Sequence, residues 1–209
     1  MLFNCPAPAA LAAIPATTCA VKWDQIQKMA LGRKSATARF DAVTNLITAQ
    51  ATWTALLAEV DDQKIVITPY FSGFSIPSNE VIAQGGNDNT TINGVREVQG
   101  LGMVTVSLMF KNISAATAEA LRAIGSETMI QPGETNIEAY FFNNHNQIIH
   151  DGGADGTGLL GFDIYNLVVP DLGAEGLNTN NSYAVTFDLA PAWSRYFKVV
   201  DADFNPRSL

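Results

Sequence analysis

The sequence predicts a mainly β (α+β) fold: an antiparallel β-sandwich or barrel with one packed helix and a helical N-terminal region. Three observations carry that expectation. From residue 64 onward, apolar and polar side chains alternate with a period of two through several short runs. One stretch between those runs has helical spacing instead. The remaining helical spacing falls within the first 60 residues.

In chain order, residues 1–19 are rich in Ala and Pro and read as extended. Residues 20–31 fit a short helix with Trp23, Ile26 and Ala30 on one face, and GRKSATARF (32–40) reads as a basic linker. A clearer helix covers 48–60. Thr48 can cap it, and Trp53, Leu56, Leu57 and Val60 recur at i, i+3, i+4 and i+7. Asp61 and Asp62 sit badly at a helix C-terminus and mark its end. KIVITPYF (64–71) is β-branched and interrupted by Pro69, as an edge strand would be. MVTVSLMF puts Val104, Val106, Leu108 and Phe110 on one face and Thr105 and Ser107 on the other. A helix near 114–124 follows, capped by Ser114, with Ala118, Leu121 and Ile124 as its buried stripe and Gly125 as its C-cap. NIEAYFF, NQIIH, GLLGFDIYNLVV and SYAVTFDL read as strands, and SRYFKVV closes the chain. The sequence thus divides into a basic, Ala/Pro-rich N-terminal arm with a short helix (1–40) and an acidic β-sandwich domain (41–209) with helices near 48–60 and 114–124. It has no internal repeat.

The chain's 209 residues can bury a core without a metal or a disulfide framework. Charged residues make up only 15%, against about 25% in an ordinary soluble domain. Sixteen Asn and 17 Thr fill much of the difference. A surface so poor in charge can be buried against a partner at low desolvation cost. The net charge of −8 is uneven. Residues 1–40 hold five basic side chains and one acidic one, whereas the rest holds seven basic and 19 acidic. Such a body does not coat a duplex, but it can line a passage through which a polyanion slides. Cys5 and Cys19 are too few for a framework; two free thiols in a reducing cytosol is the preferred reading, and one bridge the alternative. The start has no basic residue before its apolar part, and Pro6, Pro8 and Pro15 interrupt it, so it reads poorly as a signal or anchor. No stretch has 18 uninterrupted apolar residues, so no membrane span is expected.

Few residues suggest chemistry. GGNDNTTING (85–94) is rich in oxygen, yet Asp88 is its only carboxylate and calcium sites usually want several. Its Asn93-Gly94 pair favours a type I′ turn, so a polar hairpin tip is the better reading. HDGGADGTG (150–158) offers Asp151 and Asp155, and a flexible connection is preferred over a calcium loop. His145, in an expected hairpin turn, and His150 with Asp151 make two-thirds of a facial metal site whose third ligand nothing fixes. GxSxG, GxxxxGK[ST] and GxGxxG are absent. Three Asn-x-Ser/Thr triplets, at Asn89, Asn112 and Asn180, are what an Asn- and Thr-rich chain produces by chance. Aromatic residues fall mostly on strand faces and read as core, with Tyr70, Phe71 and Phe74 as candidate exceptions. No catalytic, cofactor-binding or metal residue is assigned, and no enzyme activity, cofactor or small-molecule substrate is expected.

The segments KIVITPYFSGFSIP, MVTVSLMFKNISAATAEALRAIG and SYAVTFDLAPAWSRYFKVV, behind a basic arm, resemble in style a tailed-bacteriophage virion structural protein of the tail-tube type. The likeness covers roughly residues 64–200 and rests on no diagnostic motif. It implies a β-sandwich with a flanking helix that self-assembles into hexameric rings, with an acidic lumen for DNA in transit and with other virion proteins as partners. It also implies a location in the virion, after assembly in the host bacterial cytoplasm. Residues 1–40 and the 72–102 loop would bridge subunits, through interfaces of more than ~2,000 Å², and the arm would order only on docking. Head-decoration, neck and baseplate proteins share the style. A rival from another class is a calcium-dependent carbohydrate-binding module using the 85–94 and 151–158 loops, with Tyr70 or Trp193 as sugar platform. An enzyme ranks third and needs His145 or His150 to face a pocket.

Overall fold

The computed structural model describes residues 25–35, 38–86, 89–128, 136–154, 156–173 and 181–209. The strands are β1 (Ile26–Arg33), β2 (Ile65–Ile67), β3 (Phe71–Ser75), β4 (Val81–Gln84), β5 (Glu97–Leu101), β6 (Val104–Lys111), β7 (Ile137–Asn143), β8 (Gln147–Asp151), β9 (Phe162–Val168), β10 (Ser182–Leu189) and β11 (Phe197–Asp201). The helices are α1 (Gln50–Ala58) and α2 (Ala115–Thr128). Nine strands form one antiparallel sheet in the order β11-β8-β7-β9-β10-β6-β3, with β1 also on β7 and β2 on β1. β4 and β5 form a separate ribbon. The mainly β expectation holds, and the sheet is not a closed barrel. Buried Thr68 extends the ladder of β2 on β1 by one step. The Thr68 N–H donates to the Met29 carbonyl (2.9 Å) and its Oγ1 accepts from the Met29 N–H (3.1 Å).

β7 organises the sheet. One edge carries β1, and the other carries β9 along Ile137–Ala139 and β8 along Phe141–Phe142. Every residue of β7 is buried, because both faces meet a core. Ile137, Ala139 and Phe141 enter the larger core, with Val106, Leu108 and Phe110 of β6 and Val185, Phe187 and Leu189 of β10. Tyr140 and Phe142 enter a smaller core under α1, with Phe40, Trp53, Ile65 and Ile148. Here Trp53 meets Phe40 at 4.8 Å, Phe142 at 5.3 Å and Tyr140 at 5.6 Å between ring centroids. Its Nε1–H donates to the Ile47 carbonyl at 2.7 Å, so the indole is buried without an unmet donor.

The strand expected over MVTVSLMF forms with its faces as read, and NIEAYFF, NQIIH, FDIYNLV and SYAVTFDL are strands too. Three expectations within the first 60 residues are corrected. The helix expected over 20–31 is strand β1 from Ile26 onward; residues 1–24 lie outside the described residues. Ile26 and Ala30, expected on one helix face, belong to the two different cores, and a register shift between Ile26 and Lys28 puts Ile26 in phase with Met29 instead. Residues 38–40, read as linker, are integral: Phe40 belongs to the α1 core and Arg39 is buried. Finally, α1 is preceded by Ala49, not capped by Thr48, and ends before Val60, which is exposed.

Ser114 caps α2 as expected, its Oγ accepting from the Thr117 N–H at 3.0 Å. Gly125 does not stop the helix, which runs one turn further. A Cβ at Gly125 would collide with the Leu167 carbonyl oxygen, so glycine there permits close approach of α2 to β9. Thr128 closes the contact: its Oγ1 accepts the Leu167 N–H (2.9 Å) and donates to the Gly125 carbonyl (2.7 Å).

Burial of β7 creates one electrostatic demand, the carboxylate of Glu138. The Arg39 guanidinium meets it in a contact where both side chains are almost fully buried. Glu138 also accepts from the Tyr140 hydroxyl (3.2 Å) and the Gly161 N–H (3.1 Å). Arg39 donates further to the carbonyls of Arg33, Asp62 (2.6 Å) and Gln63 (3.0 Å). Burial pushes the Glu138 carboxyl above its ordinary range, opposed by Arg39 and the Gly161 N–H. Burial and the Glu138 charge raise the Tyr140 phenol well above its usual value.

Two outcomes follow. In an exposed helix, Gly→Ala stabilises by up to ~1 kcal/mol; Gly125→Ala is expected instead to lose about 1–3 kcal/mol in urea unfolding, since backbone must move. Arg39→Met is expected to cost about 3–5 kcal/mol by leaving a buried carboxylate unpaired, and adding Glu138→Met should recover much of that loss.

Candidate assembly surface

β4 and β5 hydrogen-bond to each other and to no strand of the large sheet. The register pairs Val81 with Leu101 and Ala83 with Val98, with a shift between Ile82 and Ala83. Gln99 Nε2 donates to Gln84 Oε1 at 2.9 Å across the ribbon. At its base, Asn79 Nδ2 donates to the Gly102 carbonyl (2.7 Å) and the Gly102 N–H donates to the Glu80 carbonyl (2.8 Å). At its tip, Asn93 (φ 58°, ψ 23°) and Gly94 (φ 65°) are both left-handed, and the Val95 N–H donates to the Ile92 carbonyl at 3.3 Å. That is the I′ geometry expected from the Asn-Gly pair. GGNDNTTING therefore turns a ribbon; Asp88 lies outside the described residues.

Both faces of this ribbon are exposed along nearly its whole length. Its apolar side chains include Ile82 at 50%, Val98 at 66% and Ile92 at 68% exposure, with Val81, Val95, Leu101 and Met103 alongside. An isolated two-stranded ribbon is marginal in water, and apolar residues clustered in the open mark a contact surface. The signal was present in the sequence as VIA and VREV flanking a polar turn. It was read as a loop because neither run is long and neither alternates cleanly.

The other candidates are placed as follows. His145 lies in the turn between β7 and β8, whereas His150 is fully buried inside β8. Asp151 Oδ1 accepts the Gly153 N–H at 2.9 Å, a local turn contact; Asp155 lies outside the described residues. Among the described residues, no three of His, Cys, Asp and Glu gather as a metal-holding group. A groove of about 470 Å³ beside β1 and α2 is lined by Leu31, Val66, Ile124 and Ile137, with Arg33, Asp61, Lys64 and Glu127 around it, and neither histidine borders it. Phe71 and Phe74 are core aromatics, stacked at 5.7 Å. Trp193 packs edge-on against Phe162 at 5.7 Å, so it is not a free platform. Tyr70 is exposed, but the Lys28 ammonium sits over its ring at 4.7 Å. Cys5 and Cys19 lie outside the described residues. No helix among the described residues is long and apolar enough to cross a membrane.

No protein-family model matches the chain, and no curated protein does. Solved structures similar to the chain include two from gene transfer agent particles. One, the virion of a native gene transfer agent particle, has a TM-score of 0.35 and 16% identity, over 68% of this chain and 92% of that one. The other, the tail of an empty gene transfer agent particle determined with C6 symmetry, has a TM-score of 0.33 and 19% identity, over 62% and 81%. Scores this low do not establish a shared fold.

Proposed function

We propose that the chain is a structural subunit of a tailed-phage-like virion, built to associate with copies of itself into rings or a tube rather than to catalyse. The observation that carries this proposal is the β4–β5 ribbon, which stands apart from the sheet and exposes Ile82, Ile92 and Val98. A second copy is its natural occupant. The ribbon is uncharged at most positions, as is the chain at large, so a like surface can cover it without stranding charges. β11, β2 and β3 each pair on one side only, and ring closure protects such edges. Residues 1–24, Ala/Pro-rich, would add a second tether. The 19 acidic residues after residue 40 suit a passage for DNA, in a six-membered ring of the kind the sequence resemblance implies. A place in the neck, baseplate or head surface would use the same ribbon.

Light scattering on the full chain tests this. The wild type is expected to form defined oligomers well above the 22.4 kDa of one chain. Ile82→Lys with Val98→Lys should shift the mass toward the monomer and leave the melting temperature of the subunit unchanged, because neither residue touches a core. A monomeric wild type at all concentrations and salts would overturn the proposal.

A further inference from the structure

The β8–β11 margin holds the one buried histidine among the described residues. His150 is fully buried in β8. Its Nδ1 lies 3.1 Å from the Asp151 carbonyl oxygen, and its Nε2 is shielded from water without a hydrogen-bond partner. The neutral tautomer that fits has the proton on Nδ1, donated to that carbonyl, and a bare lone pair on Nε2. A lone pair facing apolar surroundings is tolerable, whereas an N–H donor in the same place is not.

Of the charged groups near the ring, Lys198 opposes a second proton and the Asp151 carboxylate favours one. Register places Lys198 of β11 directly across from His150. On the β7 side, where Phe142 faces Ile148 and Phe141 faces Ile149, the next positions are Tyr140 and His150. Tyr140 is a neutral phenol already donating to Glu138. Asp151 is the nearby carboxylate, and its Oδ1 is engaged by the Gly153 N–H. Burial is the largest cause and holds the imidazole below its ordinary pKa; the Asp151 carbonyl and carboxylate oppose this, and the Lys198 charge adds to it.

β11 is the element best able to yield. It is an edge strand whose ladder partner is β8 alone. We propose that His150 makes the β8–β11 margin an acid-opened seam: a proton on Nε2 creates a buried donor beside Lys198, and β11 separates from β8 so that the imidazolium can be hydrated. The sign is fixed by linkage. A histidine whose folded pKa is depressed leaves stability intact above the unfolded value of about 6.5 and subtracts from it as pH falls below that value, by up to tenfold in the opening equilibrium per pH unit. Most carboxylates titrate lower, so the window between pH 6.5 and 5 belongs mainly to histidine.

Hydrogen exchange of the β11 amides in the full chain, corrected for intrinsic rates and compared with those of β6, tests this. Between pH 7.5 and 5.5 the opening of β11 is expected to rise up to about tenfold while β6 stays closed. His150→Gln should remove that rise, and His145→Gln should keep it. A β11 equally closed at both pH values, or a rise that survives His150→Gln, would overturn the proposal. Should His150→Gln fail to fold, an NMR titration of the wild-type imidazole decides. A ring that stays neutral while β11 is protected supports the seam, and a ring that protonates near pH 6.5 with β11 still protected rules it out.

Discussion

Arg39 and Glu138 pair inside the fold and hold β7 between its two cores. β7 is buried on both faces, and a strand in that position cannot carry an uncompensated carboxylate. Arg39 supplies the countercharge, and in reaching Glu138 it threads the end of β1 and the turn before β2 through its donations to Arg33, Asp62 and Gln63. Gly161 belongs to the same knot: a Cβ there would sit 2.8 Å from the Glu138 Cβ, so only glycine brings its N–H to the carboxylate. One buried charge thus fixes the paths of four segments far apart in sequence. Two cores, back to back on β7, then form around a settled strand.

Against this over-determined centre, the β4–β5 ribbon is a contrast in kind. It has a base, a well-formed turn and a ladder of its own, but no face against either core. A chain that buries Trp53, Phe110 and Phe187 fully has no difficulty hiding apolar side chains. That Ile82, Ile92 and Val98 remain outside fits the proposal of a ribbon finished by association rather than by folding. The low content of charge elsewhere in the sequence points the same way.

Much of the fold was legible wherever one face of a strand met the core and the other met water. β6 and β10 alternate cleanly and were read correctly for that reason. α2 shows its cap and stripe, but Gly125 reads as a stop because sequence cannot distinguish a glycine that ends a helix from one that admits a neighbour's backbone. β1 is illegible in the sequence because it is buried on both sides, which erases alternation, so that Ile26 and Ala30, which face different cores, fit a helical spacing by chance. Arg39 looked like part of a basic linker, since nothing local announces that a carboxylate nearly 100 positions later will need it. The turn at Asn93-Gly94 was visible; the exposure of the strands it joins was not, because exposure is a property of what fails to pack nearby.

We propose that copies of the chain complete one another. Negative-stain electron microscopy of the purified 209-residue chain tests this. Closed rings or stacked tubes with a central opening are the predicted images. A field of single small particles, unchanged as concentration is raised, would contradict the account.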